Sequence, residues 1–138
     1  MLMISGVFSY AQKVSDDELK RYAIALDSIE TLKDQLTVTM NKISRGTEKI
    51  STQRYTALVQ IANDAAKLAE AKATPEEIAY VKRAAVIQNE ETVKFQKAYQ
   101  SLISEYVGDS VFGKVRNALK ADTVLKKKYD TLLLKYKG

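Results

Sequence analysis

The chain contains no cysteine, no histidine and no tryptophan, and a single proline among 138 residues. Without cysteine there can be no disulfide, no thiolate metal site, no thiol nucleophile and no lipid-modified N-terminal cysteine. That absence leaves the compartment open, because a chain without thiols is safe in either redox environment. The missing histidine excludes more, since it removes the commonest general base and the commonest transition-metal ligand together. Histidine-ligated zinc hydrolases, carboxylate–histidine di-iron bundles and Ser-His-Asp triads are ruled out on stoichiometry. The expectation is a protein that is not an enzyme and that carries no cofactor and no metal. One proline and five glycines also leave little to interrupt regular structure. No apolar run approaches the roughly 20 residues of a membrane-spanning helix.

What is present is an ordinary globular balance, 46% hydrophobic and 28% charged residues, rich in Ala, Leu, Lys, Glu and Gln. Those residues favour helix over strand. Residues Met1 to Ala11, MLMISGVFSYA, are uncharged and mostly apolar. Ser9 and Ala11 flank Tyr10 in the small-x-small pattern that a signal peptidase accepts, so residues 1–11 read as a signal-peptide remnant. The expected setting is therefore export to the periplasm or cell envelope of a bacterium, with residues 12–138 forming a single helical-bundle domain.

The helices announce themselves by their caps. Ser15-Asp16-Asp17-Glu18 is a capping box with acidic residues where the helix dipole favours them. Behind it, Leu19, Tyr22, Leu26, Ile29, Leu36, Met40 and Ile43 recur at spacings that keep one face apolar, and Gly46 follows as a stop. A second helix is expected from Ser51, with Tyr55, Leu58, Ala62, Ala65 and Leu68 on one face. Thr74-Pro75-Glu76-Glu77 opens a third, with a capping threonine, proline at the first helical position and glutamate at the third. It is expected to run to Val107, about 50 Å at 1.5 Å per residue. Gly108-Asp109-Ser110 should end it and cap a short helix bearing Val111, Phe112, Val115 and Leu119. Asp122 should cap a last one bearing Val124, Leu125, Tyr129, Leu132, Leu133 and Tyr136. The predicted fold is all-α, an antiparallel bundle of four to five helices, two long and two or three short.

The two halves of the chain, 14–70 and 73–138, echo each other at an offset of about 58 residues, the kind of self-similarity that signals internal duplication. Ser15 to Leu19 aligns with Thr74 to Ile78, Tyr55 and Leu58 lie near Phe112 and Val115, and Asp64 matches Asp122. The stretch Val14 to Leu19 with Tyr22-Ala23, followed by Ser51 to Asp64 (STQRYTALVQIAND), resembles the bacterial domain-of-unknown-function family numbered 4168. The resemblance covers mainly residues 14–66. It implies a short, exported, helical protein and carries over no catalytic or binding residue.

Three sets of side chains could carry chemistry. The pairs Asp16-Asp17, Glu76-Glu77 and Glu90-Glu91 are sequence neighbours, which on a helix point about 100° apart and do not converge. Tyr22, Tyr55, Tyr99, Tyr106, Tyr129 and Tyr136 fall on apolar stripes, as expected of rings in a core with hydroxyls at its rim. The third set is a basic C-terminal end: Lys114, Arg116, Lys120, Lys126, Lys127, Lys128, Lys135 and Lys137 stand against Asp122 and Asp130, a net +6 over residues 111–138. Residues 1–110 carry fourteen basic and fifteen acidic side chains, so the whole-chain charge of +5 belongs to this end. With one arginine among eight cations, sequence-specific nucleic-acid recognition is not expected; diffuse attraction to an anionic surface is. The leading expectation is an exported, non-catalytic envelope protein acting through protein–protein or anionic-surface contacts. The alternative is a cytoplasmic helical module that binds nucleic acid or another polyanion through the same basic end.

Overall fold

A computed structural model describes residues 14–46 and 49–137. The expected signal segment, Met1 to Ala11, lies outside the described residues. The helices are α1 (Asp16–Ser44), α2 (Thr52–Val59), α3 (Ala65–Glu70), α4 (Pro75–Ser101), α5 (Asp109–Ala121) and α6 (Thr123–Lys137), with a π-helical segment, Leu102–Gly108, between α4 and α5. Taking Pro75 to Ala121 as one run, the described residues hold five helical runs, two of them long, and no strand. The protein is an all-α helical bundle.

The caps act as their sequences imply. The Ser15 N–H donates to Glu18 Oε1 at 2.9 Å while the Glu18 N–H donates to Ser15 Oγ at 3.1 Å. Thr74 and Glu77 repeat that reciprocal pair at the same two distances. Ser51 Oγ accepts from the Arg54 N–H, Asp64 Oδ1 from the Lys67 N–H, and Asp122 Oδ1 from the N–H groups of Val124 and Leu125. Each of these bonds satisfies a donor that the first helical turn leaves orphaned. Gly46 ends α1 at φ +75°, and a Cβ there would lie 2.2 Å from the Ile50 carbonyl oxygen.

Two details differ from the sequence reading. The expected second helix is two helices, because the chain leaves α2 at Gln60 and Asp64 caps α3 afresh, which leaves Ala65 exposed. Neither Asp109 nor Ser110 caps α5 either. The cap position is Gly108 itself, at φ +96° and with no side-chain bond, and Asp109 Oδ1 instead accepts from Ser104 Oγ at 2.9 Å.

The chain forms two compact units. One takes the chain to Leu32 and resumes at Lys97; the other is Lys33–Gln96. The first unit's core is Leu19, Tyr22 and Ala23 from α1 with Val115 from α5 and Tyr129 from α6, and Phe112, Leu119 and Leu125 pack around it. Tyr22 lies 5.0 Å from the Phe112 ring and 5.6 Å, edge-on, from the Tyr129 ring. The second unit's core is Ile50, Tyr55, Leu58, Ala62 and Leu68 with Val81 and Ala84 from α4. Tyr55 meets Tyr80 edge-on at 5.9 Å and accepts from Gln88 Nε2, which satisfies the amide on an otherwise apolar seam.

These units follow one plan. In each, a long helix opened by a capping box packs on a later or earlier pair of shorter helices, the second of which is capped by aspartate. Tyr55, Leu58, Ala62 and Leu68 have the same spacing as Phe112, Val115, Leu119 and Leu125. The capping glutamate of each box also takes a cation from the shorter helices: Glu77 from Arg54, Glu18 from Lys114.

Candidate anion-binding surface

The eight cations of the basic C-terminal end divide by what they face. Lys114 lies between α5 and the start of α1, where its Nζ donates to both oxygens of Glu18 at 2.8 Å. That contact, followed by the Ser15 N–H, holds the Glu18 carboxyl below the usual carboxylate range. Lys114 is thus a fastener of the first unit, in the place that Arg54 fills in the second. Lys126 pairs with Asp130 one turn on, and its Nζ stands 5.7 Å from the centroid of the Tyr129 ring. Lys128 reaches Asp16 at 2.7 Å.

The other five, Arg116, Lys120, Lys127, Lys135 and Lys137, are exposed and have no carboxylate partner among the described residues. Arg116 adjoins the aromatic cluster, where its charge partly offsets the upward push that burial gives the Tyr22 phenol. Burial, the first cause, pushes the Tyr129 phenol up to about 12, with Tyr22, Asp130 and Glu30 adding to it.

Along α6, Val124, Lys127, Lys128, Thr131 and Lys135 recur at helical spacing on one strip, beside the core strip of Leu125, Tyr129, Leu132 and Tyr136. Between this edge and the start of α1 lies an open groove of about 640 Å³. Leu19, Val124 and Leu132 supply its apolar wall, and Lys20, Lys127 and Lys128 stand on it with Asp16 and Thr131. Val124 is 72% exposed despite its β-branched apolar side chain.

Of the expected site residues, only Lys127 and Lys128 reach this groove. Lys20, Asp16 and Val124 join them without having been singled out for it. One signal was available: Val124 and Leu125 are adjacent, and helical neighbours cannot both face one core. Among the expected core tyrosines, Tyr99 and Tyr106 are about 40% exposed rather than buried, and Tyr80, which donates to the Ile43 carbonyl at 2.7 Å, takes a structural role.

Among the described residues no charged side chain is buried, no group of three or more His, Cys, Asp or Glu could hold a metal, and no helix is long and apolar enough to cross a membrane. Comparison with protein-family models, with curated proteins and with solved structures finds no match for the chain.

Proposed function

We propose that the chain is an exported, non-catalytic helical protein of the bacterial envelope that works by contact with anionic surfaces through α5 and α6. The observation that carries this reading is the set of exposed cations left without carboxylate partners: Arg116, Lys120, Lys127, Lys135 and Lys137. Carboxylates elsewhere in the chain are numerous enough to neutralise them, yet among the described residues only Lys114 and Lys128 of the eight cations pair with a carboxylate on another helix. Lysine is a compact, strongly hydrated charge, suited to headgroups or acidic glycan rather than to bidentate reading. Export draws its support from the Ser9-Tyr10-Ala11 pattern and from the family resemblance. Non-catalytic action draws its support from the residue types that the sequence lacks.

Vesicle binding tests the contact. The full chain should bind vesicles containing phosphatidylglycerol, with an affinity that falls as salt rises, and should ignore phosphatidylcholine. Each lysine near such a surface contributes about 1 kcal/mol. Combining Lys120→Gln, Lys127→Gln and Lys135→Gln should therefore weaken binding roughly a hundredfold. The control K72Q/K82Q/R83Q removes the same charge from the other unit and should cost far less. No binding at low salt, or equal losses in the two variants, would overturn the reading. Recovery of the protein from its host with Met1 intact would remove the export part.

A further inference from the structure

The geometry points to the groove between α1 and α6 as a binding site for a single-chain anionic amphiphile, its alkyl chain along Val124 and Leu132 and its carboxylate among Lys20, Lys127 and Lys128. A cavity of about 640 Å³ lies within the range of small-ligand sites. From Val124 to Leu132 it follows about 12 Å of helix at 1.5 Å per residue, long enough to lay a chain on rather than cap a methyl group. Of the two strongly exposed apolar residues of α6, Leu134 at 77% and Val124 at 72%, only Val124 lines the groove.

Charge complementarity selects an anion. Among the described residues Lys20 and Lys127 have no carboxylate partner, and Asp16 is the one acidic residue on the groove. Asp16 is already engaged by Lys128 at 2.7 Å, with 87% of its side chain exposed. An ion pair so open to water is worth little and exchanges readily. An incoming carboxylate can therefore replace Asp16 on Lys128 at small cost and gain Lys20 and Lys127 besides. A neutral alcohol of equal chain length gains only the apolar wall, and a short carboxylate gains only the cations.

This site is narrower than the vesicle contact, and it can fail independently. The full chain is titrated by calorimetry with sodium dodecanoate below its micelle concentration, with dodecanol, butyrate and dodecyltrimethylammonium as comparisons. The expected result is saturable 1:1 binding of dodecanoate, at least about tenfold tighter than any of the three, as befits charge-assisted contacts on an apolar chain. Val124→Asp and K20E/K127E should each weaken it at least about tenfold. Val124→Ser, a milder change at an exposed position, should weaken it by less. Retained circular dichroism confirms that each variant is folded. A flat titration, equal binding of the trimethylammonium, or unchanged binding in V124D overturns the site. If dodecanoate fails while phosphatidylglycerol vesicles still bind, the groove is wrong and the surface contact stands.

Discussion

Glu77 serves α4 and the core of Lys33–Gln96 with one carboxylate. Its Oε1 accepts from the Thr74 N–H, and the two oxygens accept from Arg54 Nη2 and Nε at 3.1 and 2.9 Å. The Arg54 contact, then the Thr74 N–H, holds its pKa down to about 2 from the usual 4.5. The sign follows: in the unfolded chain this carboxyl protonates near 4.5, so its contribution is complete above that pH and is lost as pH falls towards 2. Glu77→Gln keeps a cap acceptor but not the charge. It should be less stable than the parent at pH 7, with a gap that closes between pH 4.5 and 2. Urea midpoints followed by circular dichroism across that range measure this, and a gap independent of pH would contradict it. Tyr129 acts at the other limit. Its phenol is pushed up to about 12, so the folded state disfavours the phenolate and loses stability as pH rises from 10 to 12. Tyr129→Phe should remove that part of the alkaline loss, as read from thermal melts at pH 9 to 12.

Among the elements, the two positive-φ glycines differ in a way that substitution can expose. Gly46 sits at φ +75° with the Ile50 carbonyl oxygen 2.2 Å from where a Cβ would be, whereas Gly108 sits at φ +96° with nothing within 4 Å. Gly108→Ala should cost about 1 to 3 kcal/mol, the strain of an L-residue in a sparsely populated backbone region. Gly46→Ala meets both strain and backbone and should cost more, by at least about 1 kcal/mol, in the same denaturation assay. Helix starts were the most legible part of the sequence, because a capping box is a local bargain between residues three apart. The break between α2 and α3 was less so: Gln60 to Asn63 contain neither glycine nor proline, and only the capping bond of Asp64 to Lys67 shows where the new helix begins. The π turn over Leu102–Gly108 left no mark, since its residues are ordinary helix formers and its ending depends on Gly108 at φ +96°.

For the whole molecule, periodicity gave the all-α class, but not which helices would share a core. Leu19 and Tyr22 look alike whether covered by α2 or by α5 and α6. The choice rests on pairings such as Glu18 with Lys114, whose members lie 96 residues apart. The basic end was visible as a count, and its division into fasteners and open charges was not, because a lysine's partner is set by the fold and not by its neighbours. The same pairing has a consequence for how the chain is made. Lys33–Gln96 is one unbroken stretch, so its core can close over a short loop, whereas the other unit joins two stretches with all of that segment between them. Closing the longer loop costs more entropy, and ordering the intervening segment beforehand lessens that cost. During synthesis Leu19, Tyr22 and Ala23 emerge well before Val115 and Tyr129, which cover them. Synthesis interrupted between Gln96 and α6 therefore leaves a chain with one finished core and one apolar face bare.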